Sequence, residues 1–235
     1  MKILSLDTSA IVASVAISED FTPIAEYTLN NGNTHSETLL PMVESALGAL
    51  SLKVSDVDLF ALSAGPGSFT GVRIGAATIK GLAFGSNKPC VEVSTLEALA
   101  ENLAFCEGLI CPVMNARRSQ VYTALFRSNG KELTRLMPDS ALSIEELDAI
   151  LAEYGEPISL VGDGYDITEK EITRATLKFV PEPLRLQSAT SVARVALRKY
   201  ASGEYGDDKA LSVNYLRPSQ AERERAEREK AQSTK

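Results

Sequence analysis

The segment Ala64-Gly65-Pro66-Gly67-Ser68-Phe69-Thr70-Gly71-Val72-Arg73-Ile74-Gly75 constrains this chain more than any other. The apolar run Leu59-Phe60-Ala61-Leu62-Ser63 leads into it and helix-compatible sequence leads out, so a buried strand must turn tightly into a helix. Free backbone amides and the helix dipole at such a junction favour an anion. The lysine of a Walker-type loop and the spacing of a dinucleotide fingerprint are both missing. Gly67, Gly71 and Gly75 recur every fourth residue, a stripe that also suits close helix packing. Phosphate contact and packing both stay open, and they can coexist.

Three antiparallel strands are predicted before this segment, at 3–6, 13–17 and 24–29. Thr34-His35-Ser36-Glu37 has the spacing of a capping box, and Leu39, Leu40, Val43, Ala46, Leu47 and Leu50 recur at helical intervals, which predicts a helix over 34–50. Pro41 lies inside it and predicts a kink or a later start. Further helices are expected at 69–84, 94–104, 143–154 and 189–201, and strands at 59–63, 90–93, 109–115, 120–127, 158–161 and 177–180. The order strand, strand, strand, helix, strand, helix is partly echoed in the second half, which suggests two α/β lobes around mixed sheets. Residues 1–106 would form lobe I, with 189–217 packing back near it, and 107–188 lobe II. Residues 218–235 would be a charged, flexible tail, because acids and bases alternate through 222–230.

At 235 residues and 44% hydrophobic composition the chain can build a sizeable core, and it has no apolar run of the ~20 residues that span a bilayer. Its start reads as a first strand and not a signal peptide, which implies a cytosolic protein. The net charge of −7 argues against a surface that binds nucleic acid unaided. Cys90, Cys106 and Cys111 lack zinc-site spacing, so buried reduced thiols are expected.

Asp7-Thr8-Ser9 closes the first strand, where it would suit a nucleotide's metal or phosphate, although Asp also caps turns well and spacing alone favours the turn. The candidate nucleotide or phosphate contacts are therefore Asp7, Thr8, Ser9, Gly65, Gly67 and Ser68. His35 is the only histidine, beside a helix start where an imidazole bonds locally, so no histidine-paired metal site can be built. Arg117 and Arg118 occupy a turn between strands, suited to a phosphate or to a solvated tip. A small-molecule kinase would need acids on both lobes, and Asp7 with Asp163, between Gly162 and Gly164, is the candidate set. A metal-dependent hydrolase, with one histidine and no carboxylate cluster, has little to build on.

Ile3 to Ser9, His35-Ser36-Glu37 with Leu39-Leu40-Pro41, and Gly65 to Gly75 together closely resemble the TsaB (YeaZ) family. The resemblance extends through Val93 to Leu96, Asn115 to Arg118 before Val121-Tyr122, and Tyr215 to Pro218, and covers nearly the whole chain. It implies an actin-, Hsp70- and sugar-kinase-like (ASKHA) fold and a non-catalytic relative of the TsaD subunit, which installs threonylcarbamoyladenosine beside the tRNA anticodon. In TsaD-like proteins two metal-binding histidines stand four residues apart, at positions that look here to be Thr95 and Leu99 around Glu97. Neither is a replacement ligand, so the resemblance implies no bound metal and no catalytic residue.

It also implies TsaD as a direct partner and TsaE as an ATPase joining the assembly, with ATP or ADP at the complex interface and not on this chain alone. tRNA would be reached indirectly, and a homodimer would form when the partner is missing. The expected partner face joins helices 34–50 and 69–84 through His35, Leu39, Val43, Phe69, Thr70, Gly71, Arg73, Ile74, Gly75 and Thr78. On that reading Gly71→Leu would cost pairing more than folding.

Overall fold

The computed structural model describes residues 1–217, so the predicted tail at 218–235 lies outside the described residues. The central strand β1 (Lys2–Asp7) is buried along nearly its whole length, as its Ile3, Leu4 and Leu6 require. It pairs antiparallel with β2 (Ala13–Glu19), which pairs with β3 (Thr22–Leu29). On its other side β4 (Leu59–Ser63) and β5 (Cys90–Val93) run parallel, giving the order β3-β2-β1-β4-β5. Between these strands come α1 (His35–Ala49) and α2 (Phe69–Ala83), followed by α3 (Thr95–Glu101).

The second half repeats the succession. Strands β6 (Gly108–Asn115), β7 (Gln120–Ser128) and β8 (Leu133–Ser143) are followed by α4 (Ile144–Ala152), β9 (Ile158–Val161), α5 (Tyr165–Glu171), β10 (Leu177–Lys178) and α6 (Ala189–Ala201). The sheet order β8-β7-β6-β9-β10 mirrors the first, with β6 in the place of β1. The echo expected in part is complete: each half builds a mixed sheet flanked by helices. Among the described residues no helix is long and apolar enough to cross a membrane.

Each sheet is covered by helices from both halves. α1 and α2 bury Leu39, Val43, Ala46, Leu47, Val72, Ala76 and Ile79 against Leu4, Leu6, Phe60 and Leu62 of the first sheet. The other face of that sheet, carrying Ile3, Leu59, Ala61, Val91 and Val93, is closed by Val192, Val195 and Ala196 of α6. α3 crosses the other way, placing Leu96, Leu99, Ala100 and Leu103 in the core of the second sheet. Glu101 of α3, itself buried, accepts a 2.5 Å hydrogen bond from Arg198 of α6 and ties the two exchanged helices together.

Several local expectations need correction. The capping box at Thr34 does not form: the Thr34 hydroxyl meets Ser36, and only the backbone carbonyl of Thr34 receives the Glu37 amide. α1 starts at His35 in spite of Pro41, so no later start occurs; Pro41 and Glu37 are exposed, where water can take the carbonyl that lacks an amide. The strand expected at 177–180 is two residues long, and β8 and α5 were not expected at all. Cys90 and Cys111 are buried free thiols, but Cys106 is half-exposed.

Candidate functional site

Parallel strands of both sheets point their carboxyl ends at one another, and a cleft of about 720 Å³ opens there. In open α/β sheets this is where ligands bind. Asp7 ends β1 and Asn115 ends β6. The turns after β4 and β9 are likewise equivalent: Gly65 has φ of +112° and Gly162 of +124°, a region open to glycine.

Asp7 is fully buried beneath the cleft. Its Oδ1 accepts from the Ser9 amide at 2.9 Å and hydroxyl at 2.6 Å, and its Oδ2 accepts from the Ser63 hydroxyl at 2.5 Å. Burial raises its pKa and these bonds oppose the rise. Thr8 donates to the Gly71 carbonyl at 2.8 Å. The glycine stripe of α2 lies on this same turn: a Cβ at Gly67 would overlap the Ser9 carbonyl, one at Gly71 the Thr8 carbonyl, and one at Gly75 would crowd the Thr8 hydroxyl. Ser68 spends its amide on the Ser9 carbonyl and caps the Gly71 amide with its hydroxyl, so contacts an anion would use are already filled.

On the opposite side Asp163 lines the cleft, and its Oδ1 is buried without a hydrogen-bond partner. Burial pushes its pKa up to about 6, against the Asn115 amide and the neighbouring Gln187 side chain, and the charge of Asp7 adds to the rise. The chain after α6 closes one wall. The Asn214 amide donates to the Ala64 carbonyl at 2.7 Å, and the Tyr215 ring stacks on Phe69 with centroids 4.6 Å apart. Arg73 lies 3.7 Å over Phe69 and donates to the Tyr215 hydroxyl at 2.6 Å. Arg217 then reaches the other lobe, bonding the Gln120 side chain and the Ala116 carbonyl. Residues 214–217 therefore strap the two lobes together beside the cleft. Arg117, Arg118 and Ser119 form the tip between β6 and β7, all three with φ between +53° and +64°.

The expected site residues divide. Ser9, Gly67 and Ser68 line the cleft, whereas Asp7, Thr8 and Gly65 lie under it with their contacts taken internally. Of the expected partner face, Leu39 and Val43 are core residues, and Gly71 and Gly75 are buried against the chain's own Thr8. The helical period that singled them out was the period of burial. Phe69 and Arg73 are engaged by Tyr215, and half-buried His35 bonds the Ala10 carbonyl at 2.8 Å. Thr70 and Arg73 are exposed on α2, and Ile74 and Thr78 are half-exposed. Thr95 is buried with its hydroxyl unpartnered, and Leu99 packs in the second core beside Gly162. Among the described residues no three His, Cys, Asp or Glu side chains converge as a metal would need. Reading by residue type missed Tyr122 and Asn115 as cleft residues, because only the strand register brings them there.

The family model for tRNA N6-adenosine threonylcarbamoyltransferase (TsaD) matches residues 25–223. The tRNA threonylcarbamoyladenosine biosynthesis protein TsaB of Bacillus subtilis is 32% identical over 225 residues, covering 94% of this chain and 96% of the relative. The protein of the same name from Escherichia coli is 36% identical over 225 residues, covering 93% of each. The solved structure of YeaZ from Pseudomonas aeruginosa superposes with a TM-score of 0.78 at 27% identity, over 92% of this chain and 99% of that one.

Proposed function

Because this chain belongs to the TsaB family of tRNA threonylcarbamoyladenosine biosynthesis proteins, we propose that it serves as the non-catalytic cytosolic subunit that docks on the TsaD-type transferase. The observation that carries this reading is the fate of the nucleotide-site elements. The Asp7 carboxylate, the Thr8 hydroxyl and the α2 glycines are all spent on contacts within the chain, so the groups that would suit a phosphate here hold the fold. The solvent side of α1 and α2 meanwhile carries apolar and small residues: Leu40 is 49% exposed and Phe84, just after α2, is 79% exposed, with Ile74, Ala77 and Thr78 between. Apolar side chains left exposed on neighbouring helices suit a protein partner.

The docking face is thus Leu40, Arg73, Ile74, Ala77, Thr78 and Phe84, and two copies of this chain pair through it when the transferase is missing. Binding there biases the partner toward its active geometry. An ATPase of the TsaE type joins the pair, with ATP or ADP at the junction. Leu40→Asp combined with Phe84→Asp, both exposed, should leave the thermal transition in place and weaken co-purification with the TsaD-type protein at least about ten-fold. Full retention of the partner by the folded double variant would exclude this face. ATP turnover by the isolated wild-type chain with a small-molecule acceptor would point to a kinase.

A further inference from the structure

The cleft has a charge polarity that neither the glycine loop nor the docking face explains. Its floor is acidic. Asp163 carries a buried Oδ1 without a hydrogen-bond partner, the neighbouring Gln187 amide is likewise unpartnered, and Asp7 lies close enough to influence the carboxyl. Its rim is basic: Arg117 and Arg217 line the opening, Arg118 adjoins Arg117 at the hairpin tip, and Arg73 packs on Phe69 and Tyr215 of the lining. Arg127, Arg135, Arg185 and Arg198 are tied into ion pairs, whereas none of the four rim arginines has one among the described residues. Aromatic rings alternate with them, Phe69 and Tyr215 under Arg73 and Tyr122 at 6.0 Å from Arg217. Glu145 and Glu146 follow Ile144, whose amide bonds the Ser119 carbonyl at the hairpin tip. Glu146 is folded back on Ser143.

A phosphate placed inward would meet Asp163 and the field of Asp7, which repels it. A base placed inward meets a carboxylate oxygen without a hydrogen bond and rings to stack on, while its phosphates stay among guanidinium groups that no carboxylate neutralises among the described residues. Arginine and aromatic side chains around an opening of nucleotide size are the features by which unpaired RNA bases are held. We propose that the cleft receives one unpaired nucleotide of an RNA strand, its amine-bearing base turned inward to Asp163 and its phosphates outside against Arg117, Arg118 and Arg217. Adenine, with a protruding amine, fits this acceptor. The N3–H of uracil is flanked by two carbonyl oxygens that a carboxylate repels. The chain's net charge of −7 keeps sequence-blind binding weak, and the basic rim is a local exception that charge counting could not locate. The proposal rests on the tRNA-modification reading only for the identity of the RNA.

Fluorescence anisotropy of the full chain with labelled oligoadenylate and oligouridylate, between about 50 and 200 mM salt, tests it. Oligoadenylate should bind about ten-fold more tightly than oligouridylate. Arg117→Glu with Arg118→Glu should weaken both about ten-fold or more and flatten the salt dependence, while Arg174→Glu, an exposed arginine outside the cleft lining, should change neither. Asp163→Asn should erase the preference for adenine and leave oligouridylate binding intact. Absence of RNA binding at the lower salt, or an adenine preference that survives Asp163→Asn, would overturn the proposal. Millimolar AMP displacing oligoadenylate as well as unlabelled RNA does would instead assign the pocket to a free nucleotide. Co-purification with the TsaD-type protein is scored separately, so loss of one result leaves the other standing.

Discussion

Two glycines of α2 place opposite demands on the same substitution. At Gly81 nothing lies within 4 Å of an added Cβ, so Gly81→Ala should stabilise the protein by about 0.5–1 kcal/mol through helix propensity. At Gly71 the Cβ would overlap the Thr8 carbonyl, a backbone atom that cannot swing aside, and Gly71→Ala should destabilise by about 1–3 kcal/mol or more. Urea unfolding of both variants checks the pair; equal effects would remove the packing role of the stripe. Gly71→Leu then costs folding before pairing, the reverse of what the stripe alone suggested. Asp163 makes a second test at this scale. Its folded pKa of about 6 lies above the ordinary value of 3.8, so its contribution to stability is present below about pH 4 and is lost as pH rises through 6. Asp163→Asn should therefore raise stability above pH 7 by on the order of 2–3 kcal/mol and change little near pH 4. Thermal scans across that range report it, and a variant less stable at pH 8 would contradict the sign.

Helix ends show how far local pattern reaches. Ser143-Ile144-Glu145-Glu146 forms a full capping box: the Ser143 hydroxyl accepts the Glu146 amide at 3.2 Å and the Glu146 carboxylate accepts the Ser143 amide at 2.9 Å. Thr34 has the same spacing and no side-chain cap. Ser143→Ala should cost about 1 kcal/mol and Thr34→Ala less than about 0.5 kcal/mol, measured by the shift of the denaturation midpoint. Helices α1, α2, α4 and α6 were legible because apolar residues at helical spacing bury one side of each. β8 was not, because its eleven residues are half-exposed or exposed throughout and show no two-residue alternation. It is held by its ladder to β7, from Gln120 opposite Ser143 to Ser128 opposite Leu133, a relation between strands. α5 is only seven residues long, too short for a period to show.

Across the whole molecule the two halves trade their last helices. Residues 1–106 alone would expose Ile3, Leu59, Ala61, Val91 and Val93, which α6 covers, and would leave Leu96, Leu99 and Leu103 of α3 without the second sheet. A fragment of those residues should show no cooperative thermal transition, and addition of a peptide spanning 189–217 should restore part of it; a cooperative melt of the fragment by itself would mean the first sheet needs no exchange. The amino-acid sequence by itself determined the element order of the first half and part of its echo in the second, the buried strands and the turn from Ser63 into α2, because apolar period and glycine placement act over a few residues. It left undecided which partner those periods face. The tertiary structure decided that Leu39, Val43, Gly71 and Gly75 face inward and that Asp7 is consumed by Ser9 and Ser63. It also decided that Asp163, Tyr122, Tyr215, Arg117 and Arg217 share one opening. A repeat of burial looks the same in one dimension whether the covering surface is the chain's own loop or another protein; only the fold's long-range contacts distinguish them.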